Sequence, residues 1–135
     1  HGLRKTAVNM EQRDYIKRQI EQIGILLGRM LSTLLGLRSG GDTGSAIQQI
    51  CGELKDELDL DIDTLASADA ETIIMELQAK GFDYDLLIRL RGVIDSMAAS
   101  LPENDRRRQS LTDLSDKLAA GTQAAYSTAD FSDFQ

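Results

Sequence analysis

The sequence predicts an all-α protein of about five helices, paired as antiparallel αα-hairpins around a long, central first helix. Three observations predict it. Apolar residues recur at helical spacing along most of the chain and rarely alternate as they do in strands. The composition favours helices, with one Pro, no Trp, 4% aromatic residues, and Leu, Ile and Ala supplying most of the 41% that are hydrophobic. Turn and capping residues separate the periodic stretches. Within the 135 residues, a single domain over 10–121 is large enough to bury roughly two-thirds of its unfolded surface.

The first helix is expected from Met10 to Leu37, where Ile16, Ile20, Ile23, Leu27, Met30 and Leu34 alternate steps of four and three. Beside them Gly24, Gly28, Ser32 and Gly36 stand four apart and form a ridge of small side chains, a candidate helix-packing or dimer contact. Each mid-helix Gly costs about 1 kcal/mol relative to Ala, so the ridge asks for a packing reason. Ile25 and Leu26 lie off the main stripe, which leaves the second half of the helix apolar on nearly every side. Such a helix is either central in its own domain or shared with a second chain in a symmetric homodimer.

Arg38 to Ser45 is turn chemistry, with Asp42, Thr43 or Ser45 capping a second helix that carries Ile47, Ile50, Cys51, Leu54 and Leu58 on one face. Residues 59–65 alternate Asp with Leu and Ile. With no second strand to pair with, they read as an extended connector or a single helical turn. Ser67 is the expected N-cap of a third helix that stops at Gly81. Asp83 caps a fourth, ended by Pro102, and a fifth runs from about Glu103 to Ala120 with Gly121 beyond it. Tyr126, Phe131 and Phe134 follow no helical period, so residues 122–135 are expected to form an irregular or mobile tail. Residues 1–9 precede Met10 and the amphipathic pattern that starts there, and read as an expression remnant or disordered lead. On that reading the single His, His1, does not belong to the functional protein.

Net charge is −7 with a pI near 4.6, a surface that repels phosphate backbones and argues against nucleic-acid binding. Arg106, Arg107 and Arg108 form the one basic run; beside Glu103 and Asp105 it reads as a solvated helix face before an acidic-partner site. The lone Cys51 excludes an internal disulfide and points to a reducing, cytoplasmic setting, with the thiol buried among its apolar neighbours. Residues 23–37 hold Arg29 and are too short for a membrane span, which needs about 20 apolar residues.

Three candidate motifs lack the surroundings their chemistry needs. Asp42-Thr43-Gly44-Ser45 matches the aspartic-protease signature, yet helices flank it where that chemistry needs an apolar strand and an all-β body, so the residues read as a helix cap. Asp59, Asp61 and Asp63 occupy positions one, three and five of a calcium loop, but Thr64 stands where Gly is needed and Ala70 where the bidentate Glu is needed. Gly40, Gly41 and Gly44 lack the Lys and the strand of a phosphate loop. Without His in the body of the chain or a second Cys, imidazole acid–base catalysis and thiolate–imidazole metal sites lose their donors. No catalytic residue, cofactor or metal is assigned.

The run Arg13 to Gln22, the Leu58-Asp59-Leu60-Asp61 connector and the paired helices after it resemble an uncharacterised family of small all-helical bacterial proteins, a domain of unknown function with a tetratricopeptide-like second half. The likeness spans Met10 to about Ala120, although the Trp, Gly-Tyr and Pro positions of the 34-residue tetratricopeptide pattern are not met. It implies a helical bundle or short array and partner binding, and it carries over no catalytic residues.

These readings converge on a non-enzymatic protein-interaction or assembly module, with a helical small-ligand-binding domain as the alternative. The partner is another protein or a second copy of the chain, with no nucleic acid, membrane or metal involved. Calorimetric titration with calcium is expected to show no micromolar binding; such binding, abolished by Asp61→Ala, would restore the calcium loop.

Overall fold

The computed structural model describes residues 2–37 and 43–133, with side chains for Tyr15, 17–36 and 43–126. They form six helices: α1 (Gly2–Leu37), α2 (Thr43–Leu58), α3 (Ile62–Ser67), α4 (Ala70–Ala79), α5 (Tyr84–Ser100) and α6 (Arg106–Asp133). Among the described residues there is no strand. The protein is all-α, as its periodicity predicts. The principal packing joins α1 to α2 and α5, α5 to α6, and α6 back to α3 and α4.

Local chemistry sets most helix ends. The carboxylates of Asp61, Asp69 and Asp83 cap α3, α4 and α5 by accepting backbone N–H bonds from Thr64, Thr72 and Leu86. Asp69 takes the capping role expected of Ser67, whose hydroxyl instead donates to the Asp63 carbonyl at 3.0 Å and closes the last turn of α3. The Thr72 hydroxyl, then its N–H, hold the Asp69 carboxyl below its ordinary range. The 59–65 segment resolves into a bend and the single short helix α3.

Gly81 stops α4 as expected. Its φ of +100° permits a Schellman ending, in which the Phe82 N–H donates to the Leu77 carbonyl and the Gly81 N–H to that of Gln78, both at 3.0 Å. Asp59 follows α2 at a φ of +54° and its carboxylate meets Lys80 at 3.4 Å, so the ends of α2 and α4 are tied together. α5 stops at Ser100, two residues before Pro102.

The core is one contiguous cluster, and its most enclosed helix is α5, not α1. Leu87, Leu90, Val93, Ile94 and Met97 are almost wholly buried because α1 covers one side of α5 and α6 another. The expectation of a central first helix is therefore corrected. On α1 the stripe Ile23, Leu27, Met30 and Leu34 is buried as its spacing requires, while the face opposite is open.

Two boundaries also differ from expectation. α1 begins at Gly2 instead of Met10, since residues 3–9 contain Leu, Arg, Lys and Ala and no Pro to break the helix. α6 continues past Ala120 to Asp133, so residues 122–133 are helical where a tail was expected. Gly121 is not a stop but a point of close approach. A Cβ there would lie 2.5 Å from Ile74 Cγ1 and 3.0 Å from the Ala70 carbonyl oxygen, so only Gly lets α6 rest on α4. Thr122 is buried beyond it, and Tyr126 meets Tyr84 edge-on with ring centroids 5.1 Å apart. Phe131 and Phe134 lie outside the described side chains.

Polar ties reinforce this packing. The Lys117 ammonium donates to the carbonyls of Ala66 and Ala68 at 2.7 and 2.8 Å, binding α6 to the carbonyl end of α3. Between α5 and α6, the buried Ser115 hydroxyl donates to Asp95 and accepts from Arg91 at 3.3 Å. Gly121→Ala is expected to cost about 1–3 kcal/mol through overpacking, measured by urea denaturation. Gly92→Ala, whose added Cβ meets nothing within 4 Å, should instead stabilise by up to about 1 kcal/mol.

Candidate functional site

The small-residue ridge of α1 does not stay on one side of the helix relative to the core. A four-residue step turns about 40° past a full circle, so the row winds out of the packed face as it ascends. Gly24 is buried, and a Cβ on it would touch Leu86 and Arg89 of α5 at 3.6 and 3.5 Å, ordinary contact distances. Gly28 and Ser32 are exposed. A Cβ on Gly28 or Gly36 would meet nothing within 4 Å. Even at Gly24 the contact with α5 would accept an Ala, so no contact among the described residues demands Gly on this row.

Large apolar side chains share this outer side. Ile25 is 71% exposed, because it stands about 200° around the helix from both Ile23 and Leu27. Tyr15 and Leu35 are 70% and 52% exposed. Ile16 lies outside the described side chains. Isolated exposed apolar residues are unremarkable, but Ile25 and Leu35 flank Gly28 and Ser32 on one face, with the exposed charges of Glu21 and Arg29 among them.

An open groove of about 990 Å³ runs beside this face, between α1 and the ends of α2 and α4. Ile25 and Leu26 form its apolar side on α1, Leu58 and Phe82 the opposite side. Arg18, Arg29 and Lys80 line it together with Glu57 and Asp59. Arg29 reaches Glu53 only at 3.9 Å, whereas Lys80 is engaged by Asp59 at 3.4 Å.

A second open cleft, about 530 Å³, lies between α2, the start of α3 and the first turn of α6. Ile47, Ile62 and Leu111 form its floor, and Cys51 lines it. Cys51 is thus half-buried, where full burial was expected. It stands at the edge of the α2 stripe, where α3 and α6 leave the cleft open. Burial is the main force raising its thiol pKa; the Asp63 carboxylate adds to this and Arg107 opposes it.

The remaining motif residues have local structural roles. Asp61 accepts N–H bonds from Asp63 and Thr64, and Asp59 turns to Lys80, so the carboxylates of the calcium-like run serve separate contacts. Among the described residues no three His, Cys, Asp or Glu side chains converge. Thr43 and Gly44 open α2, while Asp42 lies outside the described residues. In the arginine run, Arg107 pairs with Asp105 at 3.2 Å and Arg108 donates to the Leu101 carbonyl at 2.9 Å. Two of the three arginines thus secure the α5–α6 corner. Among the described residues no helix is long and apolar enough to cross a membrane.

No known protein family, curated protein or solved structure matches the chain.

Cys51 should react with a thiol reagent several-fold more slowly in the folded protein than in the unfolded chain at pH 8. Because its pKa is raised, the native rate should still climb above pH 9.0, where the ordinary thiol is levelling off. Equal rates in both states would show an unhindered thiol.

Proposed function

We propose that this chain is a non-enzymatic protein-interaction or assembly module that works through the outer face of α1, in the cytoplasm. One observation carries the reading: Gly28 costs α1 about 1 kcal/mol relative to Ala, yet its missing Cβ relieves no contact among the described residues, and strongly exposed Ile25 stands beside it. A surface that accepts both a conformational cost and an exposed Ile is suited to being covered.

The alternative, a small-ligand-binding domain, draws on the cleft beside Cys51. It is the weaker reading. Its walls are open, and among the described residues no buried side-chain polar atom lacks a hydrogen-bond partner that a ligand could supply.

The test compares the native-state mass of the wild-type chain with that of Ile25→Asp and Leu35→Asp, both purified and in cell extract. Wild type is expected to run in a complex larger than one chain in at least one setting. Both variants should lose that complex while keeping their helical circular dichroism. A single-chain mass in both settings, or complexes indifferent to both substitutions, would overturn the reading.

A further inference from the structure

Resting on that reading, we infer that the outer face of α1 docks a second copy of this chain, with the two α1 helices antiparallel about a two-fold axis at Ile25. The charge order on the face selects this occupant. Glu21 and Arg29 stand four residues before and after Ile25, on one row of the helix surface, and all three are exposed. Read backwards, acid–Ile–base becomes base–Ile–acid, so the row laid antiparallel against itself sets Glu21 against the other copy's Arg29 twice. A parallel copy would oppose like charges instead.

The groups facing this row are compatible with the docking. Among the described residues Glu21 has no ion-pair partner, and Arg29 has only the 3.9 Å approach of Glu53, with 66% of its side chain exposed. Gly28, in the adjacent row, leaves room for close approach of a second helix. Aligning the four-residue rows of two helices gives the commonest crossing class, near −50°. The chain's net charge of −7 opposes self-association in general, but this stretch carries Lys17, Arg18 and Arg29 against Glu21. In the antiparallel register Lys17 and Arg18 fall opposite Thr33 and Ser32 of the other copy, clear of a like charge.

Sedimentation equilibrium on wild type, Glu21→Arg, Arg29→Glu and the double exchange tests the arrangement, with Glu53→Gln as a control for the intrachain contact. Each single exchange creates two like-charge oppositions and should raise the dimer dissociation constant about tenfold. The double exchange should return it to within about twofold of wild type, and Glu53→Gln should leave it unchanged. A wild-type dimer sensitive to Ile25→Asp but indifferent to the exchanges, or a double exchange no better than the singles, would overturn the antiparallel register and leave the interaction face standing. A wild-type monomer at 100 µM would overturn the second copy as occupant. Association with a different protein through Ile25 would then still support an interaction module.

Discussion

The enclosure of α5 is the constraint from which the rest of the arrangement follows. Its row of Leu87, Leu90, Val93, Ile94 and Met97 is apolar on more than one side and must be covered by two helices. α1 supplies one cover with its stripe, and α6 supplies the other. Because α1 meets α5 and α2 through one side, its opposite side has no element of the described chain to meet. The open surface of α1 is thus a by-product of how the core is closed.

α6 closes the fold by a different device. Its apolar anchors are few, Leu111, Leu114 and Leu118, and it compensates with closeness and with polar ties. Gly121 lets it lie against α4, Ser115 joins it to α5, and Lys117 joins it to α3. The arginines at its start hold the α5–α6 corner. Sequence acidity is therefore compatible with a compact state: the cations inside the fold are placed on carbonyls and carboxylates that need them.

The helical class, the buried stripe of α1 and the ends at Gly81, Asp83 and Pro102 were legible because each rests on residues near one another in the chain. The errors share a cause. Gly121 reads as a stop only if its backbone turns left-handed, and its real reason is Ile74, which sequence does not place opposite it. Ser67 and Asp69 are equally good capping residues, and the choice fell to the one whose backbone leaves the helix at the right place. The outer face of α1 was half legible. The row of Gly24, Gly28, Ser32 and Gly36 could be seen, but where it leaves the core depends on the position of α5. Cys51 belongs with these, since its exposure depends on how far α3 and α6 close over α2.

The contact of Lys117 with the carbonyls of Ala66 and Ala68 spans 51 and 49 positions of sequence. A six-residue helix such as α3 has almost no persistence of its own, because nucleation costs more than so few backbone bonds return. Beside the Asp61 cap and the burial of Ile62 and Leu65, part of its persistence is therefore borrowed from α6. When the distant lysine lets go, the carbonyl end of α3 loses its cation and its dipole compensation together. Through this one contact the middle segment is tied to the last helix of the fold despite their separation in the chain.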